Sequence, residues 1–421
     1  MTVATAGVLA VGAVAGCGSS DSDTTSTAAP AATGTAAAAT TAKLSGPSIK
    51  VYSVAPVESP LASDPEIFAG AKAAVRALNA RGGIGGHEVE LVTCDTKSDP
   101  NEEAGCARNA VKDGAIAVVG GLTPLNGQTF TDTLSAGSVA NVADVAVSPA
   151  EFSQPINFPI DPAGLNYVGC GALGAKAAKT DSVTLVSLNL AVSKAVSGLI
   201  ALGAKVAGTP VKGPITFPPS QADLSPIVQQ VSNGDPGIVS LGMTAQGVGQ
   251  FIDAANSQGK DWPMCTAAGT LSGKMLSAVG AQDMYGATGF PPLSDAGTNP
   301  QLKRFVDEMA AEKADGDDAA DTSPQAYNEA SLRAWLGVQV VADVAKGIKG
   351  DVTPKSFLAA INQATVDTGV VPPLNFATPQ PVKGYERMFN PMVSLTKWNP
   401  DQKGFETIDG LDAFNALDAL K

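Results

Sequence analysis

A chain of 421 residues, 44% hydrophobic and 16% charged, is long enough for two lobes with separate cores, since single cores stop growing near about 250–300 residues. Its 27 basic and 40 acidic residues leave a net charge of −13, which argues against a nucleic-acid partner because phosphates demand a basic surface. One histidine, His87, excludes His-cluster metal sites and leaves a single base for any Ser-His or Cys-His catalyst. The composition points to a non-enzymatic globular protein.

Residues 2–16 carry no charge, and the run from Val8 to Gly16 is apolar but too short to span a bilayer. It leads into Val14-Ala15-Gly16-Cys17, which resembles a bacterial lipobox: small residues admit the peptidase, and the Cys17 thiol takes the lipid. The resemblance implies a signal peptide over residues 1–16 and lipidation of Cys17. Residues 17–48 are rich in Ser, Thr, Ala and Pro; they bury too little to order themselves and read as a flexible tether. Lipid and tether together would hold a soluble domain at the extracytoplasmic face of the cell membrane. From Gly46 onward no segment reaches the roughly 18 apolar residues of a membrane span.

Strands and helices then alternate to about Phe290, the pattern of parallel sheets covered by helices. Residues 49–54 read as a strand. Ile67, Ala71, Ala74, Val75 and Leu78 recur at helical spacing up to the Arg81-Gly82-Gly83 stop. Residues 89–92 form a second strand, 100–113 a helix, 116–119 a third strand and 128–136 a helix. After Pro162 a similar series places strands at 183–186, 237–241 and 287–290. Its helices fall at 165–178, 191–202, 224–231 and 247–257. From Asn299 the chain turns helical, at 301–314, 324–348 and 354–364, and short strands near 392–395 and 404–406 close it.

Export places Cys94, Cys106, Cys170 and Cys265 where thiols pair. Cys94 ends the second strand and Cys106 lies a turn or so into the next helix, so Cys94 pairs with Cys106 and, by elimination, Cys170 with Cys265. The short loop between Cys94 and Cys106 is worth roughly 3 kcal/mol in the chain-entropy picture. No CxxC spacing supports a zinc site.

Several motifs are decoys. Gly169-Cys170-Gly171-Ala172-Leu173-Gly174 matches GxGxxG, but no strand precedes it, so close helix packing is the better reading. Gly269-Thr270-Leu271-Ser272-Gly273-Lys274-Met275 is half a P-loop with Met275 where a hydroxyl would meet magnesium. Asp315, Asp317, Asp318 and Asp321 lack the glycine and closing Glu of a calcium loop and read as a solvated connection. His87 reads as an exposed turn residue, and no GxSxG elbow occurs.

The run Phe68-Ala69-Gly70-Ala71, then Ala77-Leu78-Asn79-Ala80-Arg81-Gly82-Gly83-Ile84-Gly85-Gly86-His87-Glu88-Val89-Glu90-Leu91, resembles the signature of type 1 periplasmic solute-binding proteins of the branched-chain amino acid class. The likeness continues in Ser98-Asp99-Pro100, in 111–121, in Ser148-Pro149-Ala150-Glu151-Phe152, in Gln325-Ala326-Tyr327-Asn328-Glu329-Ala330 and in 353–361, covering roughly residues 49 to 410. The resemblance implies an α/β fold of two Rossmann-like lobes joined by a three-crossing hinge. Lobe 1 would take residues 49–161 and the return helices at 291–376; lobe 2 would take 162–290 and 377–421 with the C-terminal tail. Crossings fall near Asp161-Pro162, Pro291-Pro292 and 375–379. A small solute would lie between the lobes, closure would bury it, and an ABC permease would read the closed form.

In such proteins the loop after the third strand holds the ligand's carboxylate, which here selects Leu122, Thr123 and Asn126. Val145 and Ala146 should line the same wall, with Ser63 and Glu58 near the first strand. The other lobe should contribute Asn189 and Leu190, Met243 and Thr244, and Gly269 and Thr270. In amino-acid binders this last loop carries an acid for the ligand's ammonium; 267–270 has none, and an unpaired buried ammonium is costly. The expected solute is therefore not a standard α-amino acid but an apolar carboxylate, an amide or another small organic molecule, unless Glu58, Asp144 or Glu151 faces the cleft. No cofactor or metal is expected, and a monomer fits. A ligand sensor reporting to a membrane receptor, or an envelope lipoprotein with a dead cleft, would share these features.

Overall fold

The structure, a computed structural model, describes residues 44–59 and 63–421; the expected signal peptide, the expected lipidation site Cys17 and most of the expected tether lie outside the described residues. The chain begins with β1 (Ile49–Ala55), α1 (Pro65–Ala80), β2 (Val89–Asp95), α2 (Pro100–Lys112), β3 (Ala117–Val119), α3 (Gly127–Ala136), β4 (Ala140–Val142), α4 (Pro149–Ser153) and β5 (Asn157–Phe158). These five strands form a parallel sheet in the order β2-β1-β3-β4-β5. Interior strand β1 is apolar on both faces, as a parallel strand covered by helices must be.

A second series follows: α5 (Asn166–Ala178), β6 (Val183–Leu188), α6 (Ala191–Ala207), β7 (Val211–Phe217), α7 (Ser225–Ser232), β8 (Ile238–Gly242), α8 (Ala245–Ser257), β9 (Met264–Ala267), α9 (Gly273–Ala278) and β10 (Met284–Thr288). The chain returns through α10 (Pro300–Ala314), α11 (Glu329–Ala345) and α12 (Pro354–Ile361), whose apolar faces join the core of the first sheet. A small pair, β11 (Thr365–Val366) and β12 (Leu374–Asn375), precedes β13 (Met392–Asn399), β14 (Gly404–Thr407) and β15 (Phe414–Asn415). The second sheet runs β14-β13-β10-β9-β8-β6-β7, with β13 antiparallel to β10 and β15 paired to β13.

The chain thus passes between the sheets after β5, after β10 and after β12, and the three passages touch. The Arg387 guanidinium lies 4.5 Å from the centre of the Phe158 ring and 4.6 Å from that of Phe389, and its Nε donates to Asn157 O at 2.9 Å. Asn390 Nδ2 donates to Ile160 O at 3.0 Å. The third passage is fastened to the first by these contacts.

The structure corrects several element bounds. The strand expected at 287–290 is β10, which ends at Thr288, where the second passage begins. The helix expected from 324 starts at Glu329, because the Asn328 side chain accepts the Ala330 N–H at 2.9 Å as an N-cap. Strands β4, β5, β7, β9, β11, β12 and β15 were not expected. β4 (Ala-Asn-Val) and β9 (Met-Cys-Thr-Ala) are short and carry one β-branched residue each, where the equally short β3 carries two. β7 carries Gly213-Pro214 at a sheet edge, the position where a missing N–H is tolerated.

Both expected disulfides are present, Cys94–Cys106 joining β2 to α2 and Cys170–Cys265 joining α5 to β9. The GxGxxG run lies inside α5 and packs on α6: a Cβ on Gly171 would stand 1.9 Å from Ile200 O, and one on Gly203 2.1 Å from Val168 O. Asp315, Asp317 and Asp321 pair with Arg76, Lys72 and Lys313. Among the described residues no group of three or more His, Cys, Asp or Glu side chains is placed to hold a metal ion, and no helix is long and apolar enough to cross a membrane.

The α5–α6 contact sets a test. Gly171→Ala should cost about 1–3 kcal/mol, since backbone faces the new methyl. Gly198→Ala on the open face of α6, with nothing within 4 Å, should be stabilising by about 0.5–1 kcal/mol. Urea midpoints of the two variants, moving in opposite directions, are the readout.

Candidate functional site

The carboxyl ends of β3 and β4 in one sheet, and of β6, β8 and β9 in the other, are where open α/β sheets take ligands. On the first wall, Val145 N donates to Gly121 O at 2.8 Å, bringing Leu122 and Thr123 beside Val145 and Ala146. Thr123 is buried and its hydroxyl donates to Glu151 Oε1 at 3.2 Å. Asn126 turns toward α2: Nδ2 donates to Pro100 O at 3.1 Å and its N–H to Glu103 Oε2 at 2.6 Å. Ala146 is buried and its carbonyl accepts from Gly164 N at 3.3 Å. Ser63 Oγ donates to Val57 O at 2.7 Å, and the Glu58 N–H to Asp95 Oδ2 at 3.1 Å.

On the second wall, Asn189 is exposed and donates its N–H to Phe217 O at 2.7 Å. Leu190 is exposed at the N-cap of α6, which has no side-chain cap. Thr244 caps α8, accepting from Gly247 N at 3.2 Å. Met243 sinks into the core of the second lobe. Thr270 Oγ1 donates to Ala267 O at 2.7 Å. Gly269 is exposed, and its carbonyl accepts from Asn328 Nδ2 at 3.4 Å, a link from this loop to the start of α11.

The floor holds a cluster that sequence reasoning missed. Arg333, in α11, donates Nε to Asp161 Oδ1 at 2.8 Å and Nη2 to Asp161 Oδ2 at 2.9 Å. The same Nη2 reaches Glu329 Oε1 at 3.3 Å, and Glu329 Oε2 accepts from Thr288 Oγ1 at 2.6 Å. The first passage, the end of β10 and the start of α11 therefore meet in one buried ion network. Burial pushes the Glu329 carboxyl up, while Arg333 pulls it back; the guanidinium itself is held firmly protonated by its two acids against its own burial.

Two more carboxylates stand nearby. Glu151 accepts from Ser148 N at 2.7 Å and Val147 N at 3.0 Å, yet burial holds its carboxyl above the usual range. Asp144, 2% exposed, has no hydrogen-bond partner on either oxygen from any other of the described residues. Burial first, and the neighbouring Glu151 charge second, push its carboxyl well up. No motif announces this arrangement, because its members are scattered from residue 144 to residue 333. The one available signal is charge placed amid apolar neighbours, as in Asn141-Val142-Ala143-Asp144-Val145-Ala146.

Beside the network lies a cavity of about 270 Å³. Leu271 and Phe405 line it from the second lobe, Val306 from α10 and Tyr327 from the connection before α11, and Phe290 and Pro292 from the second passage; Thr288 and Glu329 form its polar wall. The chemistry offered is capture: an apolar chamber with an acidic edge, walled from both lobes.

Asp144 gives a test. A carboxyl raised in the folded state keeps a proton that the unfolded chain releases near pH 4, so its contribution is full below that pH and is lost as pH rises. Asp144→Asn should match the parent near pH 4 and exceed it at pH 8, by about 1.4 kcal/mol for each pH unit by which folding raises the carboxyl, up to the pH of the measurement. Denaturant unfolding at the two pH values is the measurement, and equal gaps at both would refute the assignment.

The periplasmic binding protein family model matches residues 48–392. The chain is 23% identical over 344 residues to the Leu/Ile/Val/Thr-binding protein of Salmonella typhimurium, covering 80% of this chain and 89% of that protein. Its fold is similar to a branched-chain amino acid transporter substrate-binding protein from Streptococcus pneumoniae in complex with isoleucine (TM-score 0.66, 16% identity, covering 87% of this chain and 99% of that one). It is likewise similar to a solute-binding protein from R. palustris in complex with 4-hydroxybenzoate (TM-score 0.68, 14% identity, covering 87% of this chain and 97% of that one). With two α/β lobes, three passages between them and a chamber walled by both, the chain belongs to the periplasmic binding protein family, in its branched-chain amino acid class.

Proposed function

We propose that the protein is an extracytoplasmic lipoprotein that captures a small organic solute between its lobes and delivers it to an ABC importer. The observation that carries this reading is the chamber of about 270 Å³ walled from both lobes and from the second passage. A solute there touches both lobes at once, so its binding energy favours the closed arrangement. Lobe 1 comprises 49–161 and 291–376, and lobe 2 comprises 162–290 and 377–421. Residues 1–16 are the signal peptide, Cys17 carries the lipid, and the protein acts as a monomer. The solute is not a standard α-amino acid: the 267–270 loop has no acid, and Thr123 and Asn126 are engaged within the chain.

Thermal unfolding of the full chain against leucine, isoleucine, valine, aliphatic amides and short aliphatic or aromatic carboxylates and amines tests the reading. A solute near 100 times its Kd adds about 2.7 kcal/mol, so at least one class should raise the midpoint. A shift with branched-chain amino acids alone would refute the ligand assignment and leave capture standing. Cys17→Ser should move the protein from the membrane fraction to the soluble extracytoplasmic fraction, with loss of metabolically incorporated palmitate; retention in the membrane would refute the anchor.

A further inference from the structure

We propose that the captured solute is an organic ammonium without a carboxylate, its cationic head on Glu329 and its apolar body in the chamber beside it. The inference rests on the solute-capture reading and adds the charge class of the solute.

The first observation concerns the places where a solute's carboxylate would be held. Two amides of the loop after β3 are taken by the chain's own acid: Glu103 accepts from Leu125 N at 3.3 Å and from Asn126 N at 2.6 Å. Pro124 has no N–H to offer. In the next loop Glu151 accepts from Val147 N and Ser148 N and from the Thr123 hydroxyl. Two carboxylates of the protein thus occupy four backbone amides and a hydroxyl of this wall, and place negative charge where a solute's carboxylate would sit.

The second observation is the local balance of charge. Two buried carboxyl groups, Asp161 and Glu329, share one guanidinium, Arg333, and Asp161 takes that guanidinium through two hydrogen bonds. Glu329 reaches it only through the longer contact of 3.3 Å, its other oxygen meeting the neutral Thr288 hydroxyl. A desolvated anion arriving here meets excess negative charge, whereas a cation supplies the charge that the cluster is short of.

The third observation is the opening in front of Glu329. A Cβ built on Gly269 would stand 3.3 Å from Glu329 Oε1. A side chain at this position would pack on Oε1, and glycine leaves that oxygen facing the chamber with no side chain over it. The acid that the 267–270 loop lacks therefore arrives from the opposite side, on α11. The adjoining walls, Leu271, Phe290, Val306 and Phe405, are apolar and suit a branched alkyl or single-ring body.

Leucine divides into the probes needed: isoamylamine lacks its carboxylate, and 4-methylpentanoate lacks its ammonium. Titration calorimetry of the full chain at pH 7.5 should detect isoamylamine, or 2-phenylethylamine as the single-ring counterpart, and neither leucine nor 4-methylpentanoate. Glu329→Gln should weaken amine binding at least tenfold. Val306→Trp, at a half-buried position on the chamber wall outside the ion network, should abolish it in a protein that still unfolds cooperatively, so the test survives a Gln variant that does not fold. Binding of leucine or 4-methylpentanoate as tight as that of the amine, or amine binding unchanged in either folded variant, overturns this proposal and leaves solute capture in place. No binding of either amine overturns it as well, and silence across the wider panel removes the capture reading with it.

Discussion

The contact on which the rest of the architecture depends is the bidentate pairing of Arg333 with Asp161, extended through Glu329 to Thr288. Its members come from the first passage between the sheets, the carboxyl end of β10 and the first two turns of α11. Breaking a buried pair by removing one partner costs about 3–5 kcal/mol, because the other charge is left without compensation. That cost fixes α11 against both passages. It also sets the chemistry of the cleft floor, since every ionisable neighbour must answer to one guanidinium already shared between two acids.

The second constraint is topological. Parallel sheets carry their loops at the carboxyl ends of the strands, and helices on both faces leave those ends as the open surface. Two such sheets joined by three passages can change their relative angle only by bending at the passages. Here these are bound to one another: Arg387 and Asn390 fasten the third to the first, and the ion network ties the first to the second. The chamber lies against the second passage, so a molecule inside it touches the segment through which the lobes are joined.

The walls of the cleft depart from a simple amide cradle for anions. Glu103 and Glu151 satisfy loop amides from within the chain, which rigidifies the first lobe's rim and removes donors from solution. The second lobe's rim is plainer: exposed Leu190 and Asn189, a capping Thr244 and a bare Gly269. The loop tips thus offer few free amides, while the cleft floor holds the acid Glu329 of α11.

The sequence by itself determined the alternation of strands and helices, both disulfide pairings, the packing role of the Gly169–Gly174 run, and the family signature at residues 68–91. Each rests on local pattern: hydrophobic period, turn residues, or two cysteines separated by a single strand–helix connection, the second disulfide following by elimination. Strands β4 and β9 escaped because each is short with a single β-branched residue, and β7 because Gly213-Pro214 breaks its run. Tertiary structure alone decided the site. Asp144, Asp161, Thr288, Glu329 and Arg333 have no shared spacing, and each by itself is an ordinary polar residue. Only the folding of two separate chain segments onto one floor removes their water, and with it comes the mutual dependence of their charges.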